Sequence, residues 1–405
     1  ISNYISNDTG FGKKVYRYMI SSGSISGWEV CMMLYEQGVL EPSGSAYEGL
    51  SSGRMSAYDF MINAITEKTI TPAQLALEPC SGSAVVADPD TGELLALVSY
   101  PGYDNNRLSG TVDKDYYEQL RNDKAKPLIN KATSLRTAPG SIFKPCSAIT
   151  GLEQGVISTG ESIVCTGQYT AVTPSPKCWI YPRSHGAENV STAIRDSCNV
   201  FFYTVGHRLG MESGGTYNST KGTDLLKNYA EQLGLATKSG VEIYEMDPHP
   251  SDRDAVASAI GQGTHAYSAI NLCRYVSTLA TSGVCYDFTL VSKITDYNGN
   301  VIRDNEPVVS NTMNVSSSTW NAVHQGMRLV IENTASFKGL PYQAAGKSGT
   351  AQENTNKADH ITFISYAPYD NPEVAVSVLI PNGYASSNAA KLTSDIYKIY
   401  WGLDK

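Results

Sequence analysis

Apolar positions along the chain change their period several times. Over residues 1–78 they recur at helical spacing and no sheet-like alternation is present. Trp28–Tyr35 predicts one apolar helical segment there, and Ser56–Glu67 a second. Pro79-Cys80-Ser81-Gly82 interrupts that pattern. Two short apolar runs follow, Ala84–Asp88 and Glu93–Ser99, separated by Pro89-Asp90-Thr91-Gly92, and together they predict a β-hairpin that ends at Pro101-Gly102. From about residue 113 to 285 the spacing is helical again, with helices predicted over 141–154, 189–209, 223–233 and 267–282. Near the end Ile361–Tyr366 and Val374–Ile380 read as strands around an Asp370-Asn371-Pro372 turn, and a helix from about Ala389 to Trp401 closes the chain.

Strand patterns thus occur near residue 85 and again after residue 340, with helices between. That distribution predicts an α+β fold: an antiparallel sheet built from both ends of the segment, flanked by helices, with an inserted all-helical subdomain. The expected domains are a helical lead-in over 1–78 and a larger domain over 79–405.

Composition narrows the function classes. Of the 405 residues 41% are hydrophobic and 17% charged, so the chain can fill a core and is not disordered. The net charge of −8 argues against a nucleic-acid partner. No apolar run approaches the roughly 20 residues of a membrane span. The first residue is Ile1 and no signal-peptide pattern follows, so a trimmed piece with an anchor or signal upstream is expected. The eight cysteines are Cys31, Cys80, Cys146, Cys165, Cys178, Cys198, Cys273 and Cys285. None forms a CxxC pair, which predicts no structural zinc site. Cys165 and Cys178 flank a polar, Pro-containing loop over 166–177; either a bridge or two free thiols fits that placement.

Three motifs carry chemistry. In Pro139-Gly140-Ser141-Ile142-Phe143-Lys144-Pro145 a Gly bend enters a helix, and Ser141 and Lys144, at i and i+3, share one face about 5–6 Å apart at Cβ. A serine hydroxyl attacks only when a base takes its proton. A lysine one turn away can do so if burial and a nearby positive charge keep it neutral. Ser197-Cys198-Asn199 is expected within a helix running from about Val190 to Leu209, with Ser197 and Asn199 turned into a cleft. Gly346-Lys347-Ser348-Gly349-Thr350-Ala351-Gln352 is expected as a strand at the sheet edge, where Gly349 would let a ligand approach the backbone and Lys347 with the hydroxyls of Ser348 and Thr350 suits a carboxylate. Each motif alone is bland. A second Ser-x-Asn triplet exists at Ser386-Ser387-Asn388, and Lys238-Ser239-Gly240 mimics the third motif but looks like a helix exit.

Taken in order, the three motifs resemble those of the penicillin-binding-protein transpeptidase domain, over roughly residues 79–405. The likeness extends to "DPDTGELLALVSYPGYD", to Ser258–Gly263 and to Asp359-His360, and residues 1–78 look like the membrane-proximal lead-in of monofunctional, class B members. The resemblance implies a peptidoglycan D,D-transpeptidase of the penicillin-binding-protein and serine β-lactamase-like fold. Ser141 would acylate on a stem peptide ending in D-Ala-D-Ala, with Lys144 as general base, Ser197 as proton shuttle and Asn199 positioning the substrate amide. Lys347, Ser348 and Thr350 would hold the terminal carboxylate, with Gly349 among them as a substrate-binding position, and the backbone N–H groups of Ser141 and Thr350 would form the oxyanion hole. Such chemistry needs neither metal nor cofactor, and His360 and the other five histidines would be structural or surface residues. Further implications are covalent inhibition by β-lactams, an anchored position on the extracytoplasmic face of the membrane, and a membrane glycan polymerase as partner. The rivals are a serine β-lactamase or D,D-carboxypeptidase and, from another class, a β-lactam sensor or non-catalytic cell-wall scaffold. Turnover on a stem peptide separates these.

Overall fold

The computed structural model describes residues 18–20, 22–67, 69–70, 81–351, 358–383 and 385–403. The chain divides into two compact units, residues 1–80 and 81–405. The first contains helices α1 (Gly27–Glu36), α2 (Gly44–Ser51) and α3 (Ala57–Thr66). Ser26 and Glu29 form a capping box that satisfies two free N–H groups at the start of α1. The Ser56 hydroxyl caps α3 in the same way by accepting from the Asp59 N–H. Cys31, Leu34, Leu50, Phe60, Ala64 and Ile70 make the small core of this unit. The two apolar segments read from the sequence are therefore helices.

The second unit is organised by one five-stranded antiparallel sheet. Its hairpin is β1 (Gly82–Ala87) and β2 (Leu94–Tyr100). Three two-stranded ribbons follow in the chain: β3 (Ile163–Cys165) with β4 (Gly186–Glu188), β5 (Val284–Tyr286) with β8 (Val309–Thr312), and β6 (Lys293–Thr295) with β7 (Val301–Asp304). The sheet is completed by β9 (Ala345–Ala351), β10 (His360–Ala367) and β11 (Val374–Ile380), in the order β2-β1-β11-β10-β9. Val86 opposes Val376 where the N- and C-terminal portions meet. The strand that carries Lys347 thus lies at the sheet edge, as expected.

The sheet is buried on both faces, because successive side chains along a strand point to opposite sides. Val85, Ala87, Ile364, Tyr366, Ala375 and Leu379 join the core formed with the inserted helices, among them α4 (Lys144–Glu153), α5 (Val190–Arg195), α6 (Asn199–Leu209), α7 (Ala269–Ala280) and α8 (Ser317–Glu332). Ala84, Val86, Ile361, Phe363, Val376 and Val378 face the other way, against the closing helix α9 (Ser386–Tyr400).

Two expectations need correction. The insertion is not all-helical, since the ribbons lie within it; their strands of three or four residues are too short to set up a visible period. Nor is the expected helix over 189–209 continuous. It breaks between Arg195 and Asn199, where Ser197 adopts a left-handed conformation (φ 54°). Helix α8 was absent from the sequence expectations although Trp320, Val323, Met327 and Val330 are buried along it at helical spacing.

Candidate active site

Ser141 sits in a single 3-10 turn, Gly140–Phe143, that runs directly into α4. Gly140 has φ 56°, and a Cβ there would run into the carbonyl of Thr350. Its N–H donates to the Gly261 carbonyl at 3.0 Å, so the Ser258–Gly263 stretch backs the turn. From the other side β9 presses against the same turn. A Cβ on Gly349 would stand 2.6 Å from the Pro139 carbonyl oxygen and 3.0 Å from Ile142 Cγ2, and would collide with Thr362 Oγ1. The side of β9 that a Gly349 side chain would take is therefore filled by the protein's own turn.

Lys144, the first residue of α4, is fully buried. Its Nζ donates to the Ser197 carbonyl at 2.7 Å and to Asn199 Oδ1 at 2.7 Å, and Ser197 Oγ lies 3.0 Å away. The left-handed backbone of Ser197 is what brings its carbonyl and hydroxyl to the same amine; such strain is held only where surrounding structure fixes it. Burial pushes the Lys144 amine well below its ordinary value, and the charge of Lys347 adds to that. Two bonds to pure acceptors use both N–H groups of a neutral amine and leave its lone pair free to receive a proton. Lys347 is also buried; its Nζ lies 3.3 Å from Ser197 Oγ and donates to the Ser348 carbonyl at 3.0 Å. Burial brings its pKa down to about 7.

These groups open on a cleft of about 760 Å³. Ser141, Ser197, Asn199, Lys347, Ser348 and Thr350 all line it, and Lys144 lies beneath, bonded to Ser197 and Asn199. Lys238 of the competing motif is elsewhere, exposed and paired with Asp247 at 3.2 Å. Ser386 of the second Ser-x-Asn triplet reaches the rim, whereas the Asn388 side chain donates to the Gly383 carbonyl at 3.1 Å. Gln352 lies outside the described residues. The cleft also exposes residues that the motifs did not indicate: Trp179, the Arg195–Asp196 ion pair (2.7 Å), Gln262 and Asp359. The sequence held a cue for only two of these: Gln262 and Asp359 lie within the wider resemblance.

Behind Asn199 the fold assembles a donor set that was not foreseen. Cys165 at the end of β3, Cys178, His185 and Cys198 place one ligand atom each within 4.8 Å of all the others. The three cysteines are buried free thiols, which excludes the Cys165–Cys178 bridge. Cys178 Sγ lies 3.7 Å from His185 Nδ1 and accepts the backbone N–H of Asn199 at 3.3 Å. The thiol of Cys198 and the N–H groups of Ile180, Asn199 and Val200 all favour a thiolate at Cys178, while that sulfur and burial push Cys198 up. His185 Nε2 is buried without a hydrogen-bond partner. In a tetrahedral zinc site with Zn–S near 2.3 Å and Zn–N near 2.0 Å, sulfur and nitrogen ligands stand roughly 3.6 Å apart and sulfurs roughly 3.8 Å apart. The donor types suit Zn²⁺, and the 3.7 Å between Cys178 Sγ and His185 Nδ1 matches that spacing. The lack of a CxxC pair argued against a zinc site, yet these four residues form a group that could hold one, with His185 in a structural place. The four donors come from separate turns of the chain, so no local pair announces them.

The family model described as penicillin binding protein transpeptidase domain matches residues 82–398. The peptidoglycan D,D-transpeptidase MrdA of Haemophilus influenzae is 29% identical over 362 residues, 80% of this chain and 53% of that protein. The chain thus spans about half the length of the curated relative. Among solved structures, Pseudomonas aeruginosa PBP2 in complex with WCK 5153 superposes with a TM-score of 0.69 at 25% identity, covering 79% of this chain and 71% of that one. A chain from a peptidoglycan synthase complex, solved to describe the coordination of polymerization and crosslinking, gives 0.70 at 26% identity, covering 80% and 56%. A sheet edge, a serine-bearing turn and a broken helix that meet at one cleft, together with a family match over most of the chain, place this protein in the penicillin-binding-protein transpeptidase family.

Proposed function

We propose that the chain is a serine D,D-transpeptidase that crosslinks peptidoglycan stem peptides through an acyl-enzyme and is blocked covalently by β-lactams. The observation that carries this reading is the buried Lys144 amine, held by Ser197 and Asn199 one helical turn from Ser141. Lys144 takes the proton of Ser141 as its oxygen attacks the carbonyl of the penultimate D-Ala. The N–H groups of Ser141 and Thr350 receive the developing oxyanion; loss of one such donor typically costs about 10²–10³ in rate. Ser197, within 3.3 Å of both amines, passes the proton to the departing D-Ala nitrogen. Asn199 spends its Oδ1 on Lys144, so its NH₂ remains to donate to a substrate carbonyl. Lys347, Ser348 and Thr350 hold the terminal carboxylate. An amine from a neighbouring stem peptide then resolves the acyl-enzyme.

The reaction takes place outside the membrane, by a protein anchored there and working beside a glycan polymerase. Within this proposal Cys165, Cys178, His185 and Cys198 hold a structural Zn²⁺ that fixes the backbone on either side of the Ser197–Asn199 break. The test is a stem pentapeptide ending in D-Ala-D-Ala, supplied with and without an acceptor amine. Crosslinked product together with released D-Ala supports the proposal. Release of D-Ala by hydrolysis alone indicates a carboxypeptidase, and no turnover with stable penicillin labelling indicates a sensor.

A further inference from the structure

We propose that the zinc–thiolate centre of Cys165, Cys178, His185 and Cys198 is also an oxidation site, at which a peroxide converts Cys178 and Cys198 to a disulfide and so switches off acylation at Ser141. The inference rests on the metal reading given above and adds to it a reactivity and a consequence.

Its first basis is position. Cys198 is the residue between Ser197 and Asn199, and Cys178 accepts the Asn199 N–H. No chain separates the sulfurs from the two residues that hold Lys144. Its second basis is access. Trp179, next to Cys178, lines the cleft and is 61% exposed; its ring lies tilted at 56° against His185, with centroids 5.5 Å apart. His185 is only half-buried. Trp179 thus links the cleft to His185, whose Nδ1 lies 3.7 Å from the buried Cys178 sulfur, and a peroxide would enter by that route. Its third basis is composition. Three of the four donors are sulfur, and a thiolate is oxidised where an imidazole or carboxylate ligand is not.

The step balances. The Cys178 thiolate attacks one peroxide oxygen, the O–O bond breaks, and a sulfenic acid forms with loss of one water after protonation. The Cys198 thiolate then attacks that sulfur, and the hydroxyl leaves as a second water. Two thiolates give up two electrons, one peroxide accepts them, and two protons come from solvent. Only Cys165 and His185 remain to ligate, so the ion is released. A disulfide draws two sulfurs from the roughly 3.8 Å of a zinc tetrahedron to about 2.05 Å. Cys198 must move, and with it Ser197 and Asn199. A displacement near 1 Å at such groups is typically worth about a hundredfold in rate.

The experiment uses the purified chain and hydrogen peroxide. Zinc content is measured first. Peroxide is then titrated while zinc release is followed with a chromogenic chelator, acylation with a fluorescent penicillin, and cysteine pairing by peptide mapping without reduction. The expected result is one zinc per chain, release that tracks a fall in acylation of about a hundredfold, a Cys178–Cys198 linked peptide, and recovery with a thiol reductant plus Zn²⁺. A chain that neither carries nor takes up zinc overturns the metal reading, and this inference with it. Bound zinc that peroxide does not release, or release with acylation unchanged, overturns this inference and leaves the metal reading standing. The double variant Cys165→Asp/Cys178→Asp keeps four potential ligands and removes two thiols. Relative to its own rate before treatment it should resist peroxide; equal inhibition would place the oxidised group elsewhere. Should that variant not fold, peptide mapping of the unaltered chain still decides, since absence of the Cys178–Cys198 link after inactivation contradicts the proposal.

Discussion

Gly349→Ala is the most informative single substitution in the fold around the site. The added Cβ would stand 2.6 Å from the Pro139 carbonyl oxygen and 3.0 Å from Ile142 Cγ2. Comfortable carbon contacts lie at about 3.5–4.0 Å, so β9 and the Ser141 turn must part by roughly 1 Å. Forcing a methyl group into such a packed place costs about 1–3 kcal/mol. For a domain of this size that lowers the melting temperature by roughly 1.5–4.5 °C. The same movement separates the N–H groups of Ser141 and Thr350, and a shift near 1 Å typically costs about a hundredfold in rate. The assay pairs thermal melting with the second-order rate of fluorescent-penicillin labelling, and both should fall together. Unchanged melting with labelling lost would mean that the gap at Gly349 serves the ligand, as the sequence alone suggested. Unchanged values for both would refute the claim that strand and turn are locked to each other.

Other substitutions separate the roles of the two lysines and of the strained serine. Lys144→Ala should keep the fold and slow acylation by about 10²–10⁴, measured as the labelling rate, because general-base help is usually worth that much. Burial lowers Lys347 to about 7, so its charge is lost as pH rises through that value; the acylation rate of the free enzyme should decline on the alkaline side from there, and Lys347→Arg should carry the decline to higher pH in a pH–rate profile. Below about pH 10 the unfolded chain binds a proton that folded Lys347 releases above about 7, so this residue makes stability rise with pH in that window, and Lys347→Met should flatten the rise in melting temperature. Ser197 holds φ 54°, so Ser197→Gly should melt higher than Ser197→Ala by an amount equivalent to about 1 kcal/mol, while both lose labelling rate with the hydroxyl. Removal of zinc by a chelator should lower the melting temperature of the unaltered chain.

The sheet was legible because its strands are long enough to show a pattern: β10 and β11 are buried on both faces and read as near-continuous apolar runs. The three motifs were legible through their order, not through any one of them. The break at Ser197 was not, since apolar spacing continues through it from Val190 to Leu209 and serine carries no strong signal for a left-handed backbone. Gly349 was legible as a close approach but not as to what approaches, because only the fold brings Pro139 and Ile142 beneath it. The candidate metal ligands were the hardest. They are spread over residues 165–198, and their meeting depends on β3 and β4 folding back to the start of α6. The only cue was local crowding: three of the eight cysteines and a histidine fall in that stretch, which alone does not separate a bridge, free thiols and a metal centre.

The central claim is that Ser141 is acylated and that its ester resists water. Intact-mass spectrometry of the chain after a pulse of penicillin, followed over hours with peptide mapping, tests both parts at once. The account predicts one adduct per chain, located on the peptide containing Ser141, persisting far beyond a catalytic turnover and absent from Ser141→Ala. Rapid loss of the adduct with many equivalents of hydrolysed penicillin, or an adduct that survives Ser141→Ala, would contradict it.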